Sequence, residues 1–391
     1  MIFDKLFQLM AEKNASDIFI AAGAPISIKI QGSCMPVSQQ VMDPTSIRTM
    51  AYELLNPEQI QRFERDKEIN MSIGIAAIGN FRVNMFWQRG SISVVVRFIT
   101  SHIPKIEDLA LPPILNELIM EKRGLVLVVG ATGSGKSTTI ASMHDYRNAQ
   151  RTGHILTIED PIEFLFRHKK SIINQREVGL DTHSWNEALK NAMRQAPDCI
   201  LIGEIRDKET MAAAIAYAQT GHLCVATLHA NNAYHALNRI INFFALENRT
   251  ALYLDLSVTL RAIVSQRLVR KPDGVRVPSI EILLNTRHIA ELIEKGSINS
   301  IKDAMEQSLA IGSQTFEQDL YRLYHEKVIT LDEALTNSDS PTNLSWLINN
   351  MQVGGDKTNK NAKATFSVNP ANVETTSGGA SFAEFDLHMD S

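Results

Sequence analysis

Residues 130–137 read Gly-Ala-Thr-Gly-Ser-Gly-Lys-Ser and satisfy G-x-x-x-x-G-K-[ST]. The run before it, Leu125-Val126-Leu127-Val128-Val129, is apolar and of strand length, and a helix pattern opens near Ser137-Thr138. Glycines let the backbone wrap a phosphate chain with its N–H groups turned inward. The helix N-terminus adds a partial positive charge. On this reading Gly130, Ala131, Thr132, Gly133, Ser134, Gly135, Lys136, Ser137 and Thr138 bind nucleotide. Lys136 reaches the β- and γ-phosphates of ATP, and the Ser137 hydroxyl binds Mg²⁺.

The chain has 391 residues, room for about two or three domains. It is 44% hydrophobic and 21% charged, as soluble globular proteins are. The net charge of −4 and the lack of a long basic run speak against a nucleic-acid surface. Cys34, Cys199 and Cys224 form no C-x-x-C pair, so neither a zinc site nor a disulfide framework is expected. They read as reduced core thiols of a cytoplasmic protein. No run approaches the length of a membrane span, and the N-terminus lacks the apolar core of a signal peptide. Direct membrane insertion is not expected, and any membrane association is expected through partners.

Strand and helix signals divide the chain. Phe3, Leu6, Phe7 and Met10 fit one face of a short helix. Ile26–Gln31 alternates and ends at Gly32. Stretches near 44–55 and 57–66 open with a proline in or near the first turn and predict helices. Phe81–Gln88 and Ile92–Phe98 flank Arg89-Gly90 and predict a hairpin. Residues 1–98 therefore read as a small α+β domain and 99–120 as a linker with a short helix. From Gly124 strands alternate with helices, the pattern of a mostly parallel sheet. The strand candidates are Leu125–Val129, Ile155–Ile158, Ile200–Gly203 and Leu223–Thr227, and Ser184…Glu187 reads as a capping box. After residue 245 the chain reads as helical, with one strand near Val277–Leu284. Ser, Asn, Thr and Gly dominate from Asp339, so 339–391 reads as a disordered tail. Its end, Phe382–Leu387, sets apolar residues among acidic ones in a docking pattern.

Hydrolysis needs acids for metal and water and cations for transition-state charge. Candidates fall at strand ends, where parallel sheets place ligands. Glu159-Asp160-Pro161-Ile162-Glu163 presents carboxylates in a turn. Ile200–Gly203 runs into Glu204, a Walker B element with Glu in place of the usual Asp, followed by Ile205-Arg206-Asp207. His222 and His229 bracket the next strand and read as phosphate sensors or donors. Arg82 and Arg97 lie on adjacent strands of the first domain, where both can face one site, although on their own they read as solvated face arginines.

Together these clusters resemble the secretion ATPase superfamily, and within it the type IV pilus retraction ATPases of the PilT/PilU family. Gly130–Ser137 looks like Walker A, Thr157–Glu163 like the Asp box, Ile200–Glu204 like Walker B, and Gly221–Asn231 like the His box. Asn80–Asn84 with Arg97 looks like the N-domain arginine segment, and Gln314–Gln318 like the C-terminal helical region. The resemblance implies a PAS-like N-terminal domain joined to a RecA-like ATPase domain over 121–338, and a homo-hexameric ring with ATP held between the domains. It implies that Arg82 and Arg97 contact phosphates across the cleft, that Glu163 polarises water, and that Glu204 with Ser137 holds Mg²⁺. It also implies a cytoplasmic location at the inner-membrane pilus base, with a platform protein and a sister PilT-type ATPase as partners. The cysteine zinc module of pilus extension ATPases is missing. The Ala-Ile-Arg motif of PilT is replaced by His288-Ile289-Ala290, which with Ser265–Arg270 and the tail looks more like the accessory PilU branch. Other clients of the same site are a secretion or DNA-transfer machine, and a nucleotide-binding scaffold subunit remains the non-enzymatic alternative.

Overall fold

A computed structural model describes residues 2–352 apart from Gln31 and Ala77. Six strands, β1 Asp17–Ile20, β2 Pro25–Ile30, β3 Ser33–Val41, β4 Glu68–Ile75, β5 Gly79–Gln88 and β6 Ser91–Ile99, form a sheet in the order β3-β2-β1-β6-β5-β4. Its neighbours are antiparallel. Helices Ile2–Lys13, Pro44–Glu53 and Pro57–Asp66 pack on the sheet through Phe7, Ile47, Met50 and Phe63. The period of two along β5 sends Phe81, Val83 and Met85 into that core and turns Arg82 outward. Arg97 pairs directly with Arg82, so the two share a face. Arg89 and Gly90, both at positive φ (46° and 75°), close the hairpin as a tight turn matched to strand twist.

The second sheet holds β7 Gly124–Val129, β8 Gly153–Glu159, β9 Ser171–Glu177, β10 Cys199–Ile202, β11 Leu223–Leu228, β12 Leu260–Arg270 and β13 Arg276–Leu284. The order is β13-β12-β7-β11-β10-β8-β9, parallel throughout except for β13. Leu127, Ala226, Ile202 and Ile158 stand in one row across β7, β11, β10 and β8. Leu125, Leu127 and Val129 face helices Trp185–Ala192, Lys208–Gln219 and Ala233–Asn242, while Val126 and Val128 face Ile114–Met120 and Lys136–Gln150. Both faces are covered, as a parallel sheet requires. This is a PAS-like domain followed by a RecA-like ATPase domain with a helical C-terminal region.

Four expectations need correction. Residues 260–270 are not helical but form β12; helix Arg249–Thr259 runs straight into it without a loop. β12 is buried on both faces, so its apolar residues do not alternate and its period gives no strand signal. β9 gave no signal because its Ser171-Ile172-Ile173-Asn174-Gln175-Arg176 sequence mixes polar and apolar residues at a sheet edge. The tail does not begin at Asp339: Pro341–Gln352 is a helix that buries Leu344 and Ile348 against Phe316, Leu320 and Val269. Residues 353–391, with the Phe382–Leu387 pattern, lie outside the described residues. Cys34 is not a core thiol but stands exposed on β3; Cys199 and Cys224 are buried.

Glu281 on β13 is buried beside the last helices. Its Oε1 accepts from the backbone N–H of Ala233 at 2.7 Å and from Ser265 Oγ at 2.9 Å. Burial pushes its carboxyl up to about 7, helped by the charges of Asp339 and Glu317. The folded chain therefore keeps this proton where the unfolded chain has lost it. Stability through this group is full below the ordinary carboxylate range and declines as pH rises towards about 7. Glu281→Gln keeps an accepting oxygen and removes the titration. The difference in Tm between Glu281→Gln and wild type is expected to move upward from about pH 5 to about pH 8. A difference constant across that range would show that Glu281 does not carry the shift.

Candidate active site

A cavity of about 600 Å³ opens at the carboxyl edge of the parallel sheet. Thr132, Gly133, Gly135, Lys136, Ser137 and Thr138 line it from the loop after β7. Glu159 and Glu163 enter after β8, Gly203 and Glu204 after β10, and Thr227 and His229 from the end of β11. Ala131 and Ser134 line an adjoining cleft on the other side of the loop.

The loop is shaped by close approach. Gly133 and Gly135 sit at φ 77° and 88°, the left-handed region that glycine enters freely. A Cβ at Gly135 would meet Gln266 Nε2 at 2.8 Å, and one at Gly130 would meet the Gln266 carbonyl at 2.5 Å. Gln266, buried on β12, thus braces the loop from below, and its Oε1 accepts from Thr139 Oγ1 at 2.7 Å. The Lys136 ammonium donates to the carbonyls of Gly130 and Ala131, each at 2.8 Å. Burial lowers its pKa, and the carboxylates of Glu204 and Glu163 oppose that shift.

The acids are held in distinct ways. Glu159 Oε1 accepts from Thr157 Oγ1 at 2.6 Å and from Gln175 Nε2 at 3.3 Å. Burial pushes the Glu159 carboxyl up to about 7, and Glu163 adds to the rise. Gln175 also ties down the turn, donating to Phe164 O at 2.8 Å and accepting from Phe166 N–H at 2.9 Å. Glu163 itself is exposed on the rim. Glu204 is gripped from two sides, by His229 Nε2 at 3.2 Å and by Arg206 Nε at 2.6 Å. Arg206 also reaches Asp160 at 3.3 Å, which neutralises part of the acidic edge.

The structure therefore brings the loop, Glu163, Glu204 and His229 together. It does not bring His222 to them. His222 precedes β11 and bonds Thr220 Oγ1 at 3.0 Å, while His229 follows the strand. At about 3.3 Å per residue the two lie roughly 20 Å apart, at opposite ends of the sheet. Arg82 and Arg97 do not line the cavity. Arg82 pairs with Glu177 at 2.5 Å in a nearly dry contact, with side chains 15% and 7% exposed, and donates to Ile162 O at 3.3 Å. Glu177 accepts from Ile162 N–H at 3.0 Å, so this pair clamps the acidic turn just before Glu163. Arg97 pairs with Asp17 at 2.8 Å. Sequence reasoning missed Gln266, Gln175 and Arg276, the last of which lines the loop cavity from β13. Gln266 and Gln175 sit on β12 and β9, which carried no readable period, and Arg276 opens β13 one residue before the strand read near Val277–Leu284.

A phosphate loop after an inner strand of a parallel sheet, with acids at the ends of β10 and β8 on the same edge, defines a RecA-like P-loop ATPase. Residues 1–320 match the family described as "Type II/IV secretion system protein", and the chain belongs to that family. It is 50% identical to the type IV pilus ATPase PilU of Pseudomonas aeruginosa over 89% of this chain and 91% of that protein. It is 36% identical to the retraction ATPase PilT of the same organism over 88% of this chain and all of that one. The crystal structure of the pilus retraction motor PilT with bound ADP matches with a TM-score of 0.82, 41% identity, and coverage of 88% of this chain and 98% of that one. The Legionella pneumophila ATPase DotB matches with a TM-score of 0.71 and 27% identity over 85% of this chain and 94% of that one. The chain is a member of the PilT/PilU family of ATPases, with the higher identity to PilU.

Gly203 marks how tightly the strands converge. A Cβ there would lie 3.1 Å from both the Glu159 Cα and the Ile158 carbonyl, with the Trp185 ring at 3.4 Å. Backbone cannot yield as a flexible side chain does. Gly203→Ala is expected to cost about 1–3 kcal/mol of stability by overpacking, read by denaturant titration, and to lower turnover by spreading Glu159 and Glu204. A wild-type unfolding midpoint would show that the strand ends have slack.

Proposed function

We propose that this chain is the ATP-hydrolysing subunit of a homo-hexameric ring that assists type IV pilus retraction beside a sister PilT-type motor. The observation that carries the reading is the convergence of Lys136, Glu163, Glu204 and His229 on one cavity in a chain so similar to PilU and PilT. Lys136 exchanges its two carbonyl contacts for the β- and γ-phosphate oxygens of ATP. The Ser137 hydroxyl and the Glu204 carboxylate, hard oxygen donors beside room for water and phosphate, fit Mg²⁺, which when bound would neutralise phosphate charge. Glu163, exposed on the rim, polarises the attacking water. His229, bonded to Glu204, reports on the γ-phosphate position. Arg82 and Arg97 reach a phosphate only if the N-terminal domain turns and Arg82 leaves Glu177. His222 takes no part in its own subunit's site. The ring works at the cytoplasmic face of the inner-membrane pilus base and docks there through a platform protein.

Lys136→Ala removes the loop's cation and the charge-assisted contacts it makes, each worth roughly 1.5–3 kcal/mol. Nucleotide binding and ATP turnover are expected to be lost or severely weakened, and wild-type turnover in the variant would overturn the site assignment. Glu204→Gln keeps size and removes charge. It is expected to retain bound ATP while hydrolysis slows sharply; unchanged affinity and unchanged turnover would make Glu204 structural. Twitching of cells carrying only Lys136→Ala, measured against wild type, separates a pilus client from a secretion client.

A further inference from the structure

The segment after β11, from His229 to Asn232, is tethered to the last helices of the chain by a network that none of the motifs contains. Arg267, next to Gln266 on β12, lies with Asn231 in the cleft that adjoins the phosphate loop. Its guanidinium pairs with Asp339, donates to Asn337 O at 2.5 Å and to Asn231 O at 3.3 Å, and stacks 3.9 Å over the Phe316 ring. The other oxygen of Asp339 accepts from Asn232 Nδ2 at 2.6 Å. Asn232 is buried, and its Oδ1 caps helix Ala233–Asn242 by accepting from His235 N–H at 2.8 Å. Asp339 therefore holds both a strand residue and a residue three places beyond His229. Asp339 itself is fixed by its neighbours: Ser340 N–H donates to buried Glu317 at 2.8 Å, and the helix that follows buries Leu344 and Ile348.

Two consecutive residues of one strand thus serve two neighbours. Gln266 braces the phosphate loop on one side. Arg267 binds the His229 segment and the C-terminal helices on the other. Both Arg267 and Asp339 are only 20% exposed, so solvent screens their attraction little. A forked guanidinium and a carboxylate that uses both oxygens leave little freedom of orientation.

We infer that Arg267, Asp339 and Asn232 are positioning residues for hydrolysis: they act as a latch through which the C-terminal helices fix the His229 segment against Glu204. The inference rests on the ATPase site assignment above. It predicts a defect in turnover rather than in nucleotide binding, because Lys136 and the loop are braced separately by Gln266.

The test uses the full-length protein. Asp339→Asn keeps the shape and weakens both attachments. Asn232→Ser retains a residue that caps helices well but is too short to reach Asp339. Each is expected to lower kcat roughly tenfold or more, since misplacing a group by about 1 Å can cost a hundredfold. KM for ATP and affinity for a fluorescent ADP analogue are expected to stay within about twofold of wild type, because those contacts do not involve the latch. The double variant is expected to be no slower than the worse single one, as befits residues acting as a unit. Wild-type kcat in both single variants, multiplicative losses in the double, or a loss of nucleotide affinity and Tm in proportion to the loss of turnover would each overturn the latch. Lys136→Ala run in parallel keeps the two failures apart. If it still hydrolyses ATP, the site assignment fails; if it is inactive while the latch variants run at the wild-type rate, only the latch fails.

Discussion

Everything at the site depends on the parallel register of four strands. Leu127, Ala226, Ile202 and Ile158 are fixed in one row by backbone hydrogen bonds. Each strand then ends within a few residues of that row, so the loop, His229, Glu204 and Glu159 emerge at one edge. A shift of one residue in any pair would turn its side chains to the other face of the sheet. The buried apolar residues on both faces forbid that shift, because each strand would trade core contacts for unsatisfied space. The chemistry at the edge is thus set by packing well below it.

The site concentrates acids, and the fold handles them unequally. Glu204 keeps two cationic or hydrogen-bonding partners, His229 and Arg206. Glu159 has only a hydroxyl and an amide, and burial raises its pKa to about 7. Glu163 stays on the rim. Three carboxyls close together are tolerable because they do not all carry full charge in the same place. Lys136, with its pKa lowered by burial and supported by Glu204 and Glu163, balances them.

The loop, both acidic clusters and the PAS-like hairpin were legible because each has a local signature: glycine spacing, a proline turn, an apolar run ending in a carboxylate, or alternation around Arg89-Gly90. β12 was not, since a strand buried on both faces has no period and follows a helix with no breaker between them. Gln266 and Arg267 were lost with it. The helix at Pro341–Gln352 was hidden by polar composition, because Leu344 and Ile348 alone supply its buried face among the described side chains. His222 was misplaced for a different reason. Two histidines flanking one strand look symmetric in sequence, but a strand has two ends and only one of them meets the loop. The Arg82–Glu177 pair joins residues far apart in sequence, and no local pattern announces such a contact.

The seam between Thr259 and Leu260 has a mechanical consequence. Most connections between helix and strand contain a few residues that can bend and take up slack. Here the last helical residue and the first residue of β12 are consecutive. From Ala262 to Ser265 the chain is extended and paired on both sides, after a shift of register against β7 between Leu260 and Ala262. Helix and strand form a single stiff rod with the phosphate loop resting against its side. Axial travel of that helix meets no loop, only the register shift beside Leu260, before it reaches the strand beneath the glycines. The stiffness of the loop therefore belongs in part to this rod and not to the loop's own sequence alone.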